Sequence, residues 1–425
     1  MTSGTNFATD FVTPRAQGEV AAADLRSTVA VRERCGQLLE HARIGHSHWF
    51  EVDERKLDAA AAEVARVTRQ RYPKLHIPFH SRWRHFEAGG VDRKAQLDER
   101  LAGLPAASRA KALIDLAVVS VLLDAGAGPD WKYTESATGQ TFTRSEGLAV
   151  ASFHAFTAGM FSSRKDKPLQ ADSEGLRAVV TDRLAQAFQV SDANPLVGLQ
   201  GRAILLRRLG EALDEQPEIF GEERRPGELF DLLVGGPDIP PTADISAHDI
   251  LSQVLASFSG IWPMGSSLGG VALGDCWRHP AVKAQGPSNG WVPFHKLSQW
   301  LTYSLLEPFQ WAGVTLHGVQ ALTALPEYRN GGLLIDSGVL RLRDAHAATE
   351  VWHPGDEIIV EWRALTVALM DELAVNVRQQ LSLDESRMPL ACVLEGGTWA
   401  AGRELAGKHR NGLPPLQVHS DGTVF

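Results

Sequence analysis

The sequence is poor in cysteine, which excludes two kinds of stabilising chemistry. It has three cysteines in 425 residues, Cys35, Cys276 and Cys392, with no C-x-x-C pair. A disulfide scaffold and a cysteine-based zinc site both require more cysteines at closer spacing. We interpret the three as small buried side chains of a reducing compartment, and we expect a cytoplasmic location.

Long hydrophobic runs and several familiar motifs are also absent. The most apolar stretch, Leu113–Leu123, contains Asp115 and Ser120 and is too short to span a bilayer. Residues 1–18 show no basic segment followed by an apolar one, so we expect no secretory signal and no membrane partner. No G-x-S-x-G, P-loop or H-E-x-x-H motif occurs, so serine hydrolase, nucleoside triphosphatase and zinc protease activities lack support.

Positive charge is in deficit, with a formal net charge of -9. A protein of this charge is a poor general binder of polyanions, so we exclude nucleic acid as a partner. One local pocket for a single phosphate remains compatible with the composition, because about two or three cations can form it.

Strand signals are sparse, and apolar residues recur mostly at helical spacing. We predict a mainly α, multi-helical protein with at most a short β-hairpin, formed by 131–134 and 141–143. Helices are predicted over 22–40, 54–71, 107–123, 147–161, 173–188, 196–213, 226–233, 246–258, 293–306, 326–336, 355–381 and 390–405. Thr143 and Glu146 match a capping box, Ser246 matches an N-cap, and Pro308 is expected to end the helix before it. Short extended pieces are expected at 340–343 and 417–425.

The domain organisation has two interpretations. Residues 1–20 have the composition of a disordered leader, and 21–425 are expected to form a single helical catalytic unit. Glycine, proline and charge accumulate near 215–245, where the unit divides if it consists of two lobes.

The first polar cluster, Pro78–Phe86, contains His80, Arg82, Arg84 and His85 interleaved with aromatic residues. In one interpretation it is an anion or sugar pocket, in which the arginines bind phosphate oxygens and Trp83 stacks on a flat substrate. In another, His76, His80 and His85 bind a metal, although their spacing fits neither face of a helix and no carboxylate follows at metal-motif spacing. The third interpretation is surface charge around buried aromatics.

Two further clusters lie where a helix ends and where another begins. Asp124-Ala-Gly-Ala-Gly-Pro-Asp130-Trp131 follows a buried helix, and either carboxylate could bind sugar hydroxyls or polarise a water. A simple C-cap and turn explains the same residues. His295, Lys296 and Gln299 occupy the first turns of a helix, where free N–H groups favour an anion, unless that turn faces solvent.

Three clusters follow in the last third of the chain. Glu327 precedes Tyr328, Arg329 and Asn330. A carboxylate at a helix start can serve only as a cap, but this set is more polar than a cap requires. Glu361 and Arg363 fall within a largely apolar helix, where charges need partners or a function; a structural ion pair is the alternative. Leu394-Glu-Gly-Gly-Thr-Trp399 places two glycines in a helix at a cost of about 2 kcal/mol, which close packing or a nearby ligand would explain.

These motifs together resemble the uracil catabolism protein 4 family. The resemblance lies in Phe79–Asp92, Leu122–Trp131, Phe294–Ser304, Leu325–Leu334 and Leu394–Trp399, and it extends from about residue 27 through nearly the whole chain. It implies a place in a pathway that converts uracil to its nucleotide, opens the ring and releases urea.

A second resemblance, carried by shorter motifs, is to the queuosine-nucleotide salvage hydrolases. The order Phe-His-Lys-x-x-Gln, then Glu-Tyr-Arg, then Glu-x-Arg is similar to theirs. It implies a helical N-glycosidase related in fold to DNA glycosylases. Glu327 corresponds to the catalytic aspartate of that family, with glutamate in place of aspartate.

We therefore predict a hydrolase that breaks the C1–N bond of a ribosylurea 5′-phosphate-like substrate, a phosphorylated ribosyl compound, and releases urea without a cofactor. Such a reaction needs a carboxylate to stabilise positive charge or activate water, and an acid to protonate the leaving group. The predicted catalytic residues are Glu327, Asp130 and Glu361. The predicted substrate-binding residues are the phosphate clamp His295, Lys296 and Arg329, together with Gln299, Arg82, Arg363 to orient Glu361, and the pocket walls His80, Trp83 and Trp131.

Two alternatives have different signatures. An amidohydrolase acting on the ring-opened ureido compound would need a metal or an activated nucleophile. A non-catalytic scaffold of the pathway would show an exposed apolar patch and a pocket without convergent carboxylates.

Overall fold

Helices form most of the described chain, which confirms the mainly α prediction. The computed structural model describes residues 14–236, 243–263 and 265–419. The α-helices are α1 (Pro14–Leu25), α2 (Thr28–Arg43), α3 (Leu57–Arg71), α4 (Arg82–Phe86), α5 (Arg93–Arg100), α6 (Ala106–Leu122), α7 (Arg144–Thr157), α8 (Ser173–Arg177), α9 (Thr181–Ala187), α10 (Leu199–Asp214), α11 (Pro217–Phe220), α12 (Leu229–Val234), α13 (Ala247–Phe258), α14 (Lys296–Trp311), α15 (Tyr328–Asp336), α16 (Glu357–Leu381), α17 (Leu390–Val393) and α18 (Trp399–Arg410).

The strands are short and pair only two at a time. The predicted hairpin is confirmed: β2 (Lys132–Thr134) pairs antiparallel with β3 (Thr141–Thr143). The other pairs, which go beyond the single hairpin we expected, are β1 (Phe50–Val52) with β10 (Leu340–Leu342), β4 (Asp244–Ser246) with β9 (Thr315–His317), β5 (Ser266–Leu268) with β6 (Val271–Gly274), β7 (Cys276–Arg278) with β8 (Trp291–Pro293), and β11 (Val351–Trp352) with β12 (Gln417–Val418). The β4–β9 and β11–β12 pairs are parallel. These pairs tie loops together and do not form a layer.

The core is built around α6, α14 and α16. Leu113 to Leu122 are all buried, as the apolar character of α6 all round predicts, and α6 packs against α14 and α7. Asp115 is buried within α6, where its carboxylate accepts backbone N–H groups of Ala171 and Gly227 and pairs with Arg225. The apolar helix therefore tolerates this charge because every carboxylate oxygen has a partner.

Several predicted boundaries differ from the observed ones. α14 continues through Pro308 to Trp311. Pro308 cannot donate to the Ser304 carbonyl oxygen, which accepts the Trp83 indole N–H at 2.8 Å instead. Thr143 lies at the N-cap of α7 but makes no capping bond, whereas Ser246 caps α13 as predicted. The 393–399 region interrupts the last predicted helix with a π-helical turn, Leu394–Thr398.

The predicted leader and the predicted lobe boundary can each be compared with the structure over only some of their residues. Residues 14–20 of the leader belong to α1, whose Ala22 and Leu25 are buried, and residues 1–13 lie outside the described residues. Near the predicted boundary, Pro226 and Gly227 pack against α6, and residues 237–242 are not described. One apolar core includes buried residues on both sides of 215–245, and the division into lobes stays a prediction. No helix in the described ranges has both the length and the apolar character needed to cross a bilayer.

Close contact between α15 and α18 depends on a glycine. A Cβ on Gly402 would overlap the carbonyl oxygen of Arg329, whereas a Cβ on Gly407, in the same helix, would meet nothing. We expect Gly402→Ala to lower the free energy of unfolding by about 1–3 kcal/mol through overpacking. Gly407→Ala should raise it by up to about 1 kcal/mol, since alanine is the better helix former. Denaturant unfolding measures both, and equal stability of the two variants would contradict this packing.

Candidate active site

A cavity of about 420 Å³ brings together residues from five of the six sequence clusters. Its wall is formed by His80 and His85, the loop 124–129, Lys296, the segment Glu327–Arg329 and Trp399. Residues 412–418, which follow α18, close one side. The cavity therefore brings together some, but not all, of the predicted site residues.

Glu327 both caps a helix and faces the cavity. Its carboxylate accepts the backbone N–H groups of Arg329 and Asn330, at 2.7 and 2.6 Å, at the N-terminus of α15. Burial raises the pKa of Glu327 above its ordinary value, although these two bonds and the charge of Lys296 oppose the shift. The capping and catalytic interpretations are thus compatible, because one carboxylate serves both.

Lys296 lines the cavity, and the turn that precedes it is fixed by hydrogen bonds on the side away from the cavity. Asp275 accepts the Lys296 backbone N–H at 3.0 Å, and the buried His295 ring places Nε2 2.9 Å from the Leu25 carbonyl oxygen. His295 adopts a left-handed backbone conformation, with φ of 50°. Burial, and then the charge of Arg363, lower the pKa of Lys296. His295 therefore anchors the turn and does not line the cavity, contrary to its predicted role in a phosphate clamp.

Arg363 and Glu361 lie outside the cavity, and Arg363 does not orient Glu361. The Arg363 guanidinium donates to both oxygens of Asp275, at 2.8 and 2.6 Å, and lies over the Phe294 ring. Burial would raise the pKa of Asp275, but Arg363 outweighs it and lowers the pKa to about 2. Glu361 is buried, and its Oε2 lies 3.5 Å from His279 Nε2. The Glu-x-Arg motif thus supports the turn that carries Lys296.

Asp124, and not Asp130, is the acidic residue of the glycine loop at the cavity. Arg82 is fully buried and binds Asp124 at 2.6 Å and Ser120 at 2.7 Å, which fixes the loop from inside. Asp130 is exposed and lies outside the cavity. Asp124 and Asp130 lie on the same loop, but only Asp124 is bound by the buried Arg82 and lines the cavity.

Three other predicted site residues, Trp83, Trp131 and Gln299, are buried in the core and away from the cavity. Trp83 and Trp131 are buried and donate their indole N–H groups to the carbonyl oxygens of Ser304 and Phe188. Gln299 is buried, and its side-chain oxygen accepts the Thr323 N–H. None of the three lines the cavity. Large aromatic side chains with a satisfied N–H are common in cores, and these belong there.

Arg144 is a cavity residue that sequence reasoning missed. It begins α7 in a left-handed conformation, with φ of 54°, and within the described chain its side chain forms no ion pair. Arg329 is buried and donates to the Gly412 carbonyl oxygen at 3.2 Å, and a Cβ on Gly412 would lie 3.4 Å from the Arg144 guanidinium. Two guanidinium groups therefore meet at one glycine. The positive φ of Arg144 has no sequence signal.

The structure gives no support to the metal interpretation of the histidines. His76 is exposed, while His80 is buried against Glu395, 2.8 Å from Nδ1 to Oε2. His85 is half-buried beside Arg82, and desolvation followed by the Arg82 charge lowers its pKa to about 4. Across residues 14–236, 243–263 and 265–419, no three histidine, cysteine or acidic side chains come close enough to hold a metal ion.

The fold and the cavity define a mainly helical protein with a charged internal site of small-molecule size. Residues 24–425 match a family described as a protein of unknown function, DUF1688. The chain belongs to this family, and its likeness to two relatives confirms the resemblance to the uracil catabolism protein 4 family. It is 39% identical to uracil catabolism protein 4 of Lachancea kluyveri, over 94% of this chain and 98% of that protein. It is also 39% identical to protein urg3 of Schizosaccharomyces pombe, over 95% of this chain and 98% of that one.

Proposed function

We propose that this protein acts in uracil catabolism and hydrolyses the C1–N bond of a ribosylurea 5′-phosphate-like compound to urea and ribose 5-phosphate. One observation carries the proposal: the cavity joins a carboxylate of raised pKa, Glu327, to two arginines without ion pairs in the described chain, Arg144 and Arg329. The name of the Lachancea kluyveri relative supports the pathway, and the short motifs similar to queuosine-nucleotide hydrolases support the bond type.

Glu327 has the position and charge for the central role. Hydrolysis at C1 passes through an oxocarbenium-like state, which a nearby carboxylate stabilises and which a carboxylate-activated water attacks. Because α15 begins at Tyr328, its free N–H groups hold the Glu327 oxygens in a fixed direction. Lys296 provides a cation beside this carboxylate, and Asp124 is a second acidic group, suited to the ribose hydroxyls.

The arginine pair is the proposed phosphate site. Among the lining residues, Lys296, Arg144 and Arg329 are cations, and Asp124 and Glu327 are carboxylates, which leaves one positive charge in a protein of net charge -9. Guanidinium groups bind phosphate oxygens through paired N–H donors, and Arg329 is already desolvated. Arg144 takes the place in the clamp that the sequence had assigned to His295.

Replacement of Arg144, one of the two proposed phosphate-binding arginines, should distinguish an effect on phosphate binding from an effect on bond cleavage. We expect Arg144→Ala to raise KM for ribosylurea 5′-phosphate about 10–100-fold with kcat little changed, because a hydrogen bond to a charged group contributes about 1.5–3 kcal/mol. Cleavage of unphosphorylated ribosylurea should be unaffected, and the exposed Arg183→Ala should change neither substrate. An equal loss on both substrates would show that Arg144 does not contact phosphate.

The proposed reaction is tested by urea release from synthetic N-ribosylurea 5′-phosphate, with and without prior treatment with a chelator. The proposal predicts urea and ribose 5-phosphate in equal amounts from both samples. Release of ammonia in place of urea, lost after chelation, would favour the amidohydrolase. Absence of any product would refute the substrate assignment.

A further inference from the structure

His80, in the wall of the cavity, forms a buried pair with Glu395 behind it. The His80 Nδ1 lies 2.8 Å from Glu395 Oε2, and the two residues are 6% and 5% exposed. The His80 ring lines the same cavity as Glu327 and Lys296. Since Nδ1 is occupied by Glu395, Nε2 is the nitrogen available to a ligand.

The Glu395 carboxylate is held by two further groups on α3 and its C-terminal end. The Arg71 guanidinium and the Tyr72 hydroxyl both donate to Oε1, at 2.6 and 2.9 Å. Burial would raise the pKa of Glu395, but the hydrogen bond and charge of His80, followed by Arg71, lower it to about 2. The group is therefore a carboxylate near pH 7, which can only accept, so His80 Nδ1 is the donor of the bond between them.

A local change in the helix directs Glu395 toward His80. Leu394–Thr398 forms a π-helical turn between α17 and α18. A Cβ on Gly397 would lie 2.5 Å from the Val64 carbonyl oxygen and from Thr68 Oγ1, so only glycine permits α3 to approach this turn. Single π-helical turns are uncommon and are frequent at functional sites. The Glu-Gly-Gly sequence thus combines a charged group with close packing.

The neighbouring histidine cannot take the same role. The Arg82 guanidinium lies 3.1 Å from His85 Nδ1, so that nitrogen accepts a hydrogen bond from a cation. Burial, and then Arg82, lower the pKa of His85 to about 4, and the ring is neutral near pH 7. His80 Nδ1 faces the Glu395 carboxylate, whereas His85 Nδ1 is already occupied by the Arg82 guanidinium. Between the two histidines of the cavity, His80 is the suitable proton donor.

We infer that His80 is the general acid that protonates the departing urea nitrogen, and that Glu395 is its positioning residue. This inference rests on the proposed function. As the C1–N bond breaks, its electron pair remains on nitrogen, which receives the proton from His80 Nε2. Water adds to C1 and gives its proton to Glu327. The sum is substrate plus water to ribose 5-phosphate plus urea, and the proton on Glu327 returns to His80 through water.

Two substrates with different leaving groups test the inference. Urea leaves only with a proton, whereas 4-nitrophenolate, from 4-nitrophenyl riboside 5-phosphate, leaves without one. We expect His80→Gln to slow urea release about 10²–10⁴-fold and nitrophenol release less than about tenfold. Glu395→Gln should show the same preference with a smaller loss. His154→Gln removes a second His–Glu pair, 2.7 Å long and outside the cavity, and should change neither rate.

The outcomes separate this inference from the proposed function. If wild type cleaves both substrates and His80→Gln loses both rates equally, His80 is not the acid, although the N-glycosidase reaction stands. If wild type cleaves neither substrate, the proposed function itself is wrong. Circular dichroism and thermal unfolding of each variant show whether it folds, and His80→Asn provides a second, smaller replacement if His80→Gln does not. A selective loss of urea release in a folded variant supports the inference.

Discussion

Replacement of Glu327 by glutamine is expected to slow urea release about 10²–10⁴-fold without unfolding the protein. Glutamine removes the negative charge that the oxocarbenium-like state requires and cannot take a proton from water. Its side-chain oxygen can still accept one of the two N–H bonds at the start of α15, so most of the capping energy remains. Steady-state kinetics and thermal unfolding of the same preparation distinguish these effects.

A second helix cap provides the matched control. Asp92 is exposed, caps α5 by accepting the Ala95 N–H, and lies outside the cavity. Asp92→Asn makes the same chemical change at a helix N-terminus and should leave the rate unchanged. Because the pKa of Glu327 is raised and its carboxylate form is the active one, wild-type activity should fall with decreasing pH at a value above the ordinary 4.5. A Glu327→Gln variant with wild-type activity would refute the catalytic assignment.

The replacement of Asp275 by asparagine should be the most destabilising of the changes considered. It leaves the buried Arg363 guanidinium without its bidentate partner, and loss of one member of a buried pair costs about 3–5 kcal/mol. Urea also should form more slowly, since Asp275 supports the turn that carries Lys296. Denaturant unfolding at pH 7 measures the stability loss.

A surface pair gives the comparison for Asp275. Asp53 pairs with Arg55, whose side chain is 89% exposed, so the pair is screened by water and Asp53→Asn should change stability little. The pKa of Asp275 is about 2 in the folded protein, below its ordinary value. Its stabilising charge is therefore present above about pH 4 and lost as pH falls toward 2, so the gap between wild type and Asp275→Asn should narrow over that range. A gap as small as that of Asp53→Asn would contradict the importance of the buried pair.

The helices and several cavity residues were predictable from local patterns. α6 and α16 follow from their largely apolar sequences, and Glu327 and Lys296 follow from polar residues concentrated at helix starts, where N–H groups are free. His80 was predicted to line the pocket, but its partner is 315 residues away, so the pair has no local signal.

The errors share one physical cause, which is that long-range partners decide where a polar side chain points. Arg363 was assigned to its neighbour Glu361, yet it binds Asp275, 88 residues away on a segment between short strands. The sequence does not distinguish Asp124 from Asp130, and the difference between them comes from Arg82, which binds Asp124. Arg144 was missed because its left-handed backbone at the start of α7 depends on packing and not on residue type.

In the proposed reaction the C1–N bond breaks and the urea group leaves intact. This reaction is tested most directly with ribosylurea 5′-phosphate carrying ¹³C at the ureido carbon and ¹⁵N at both nitrogens, followed by NMR during turnover. We expect one new ¹³C signal coupled to two ¹⁵N nuclei, which is intact urea, together with ribose 5-phosphate. Labelled carbonate and ammonium with the sugar–nitrogen bond unbroken would contradict the proposed reaction and identify the enzyme as an amidohydrolase.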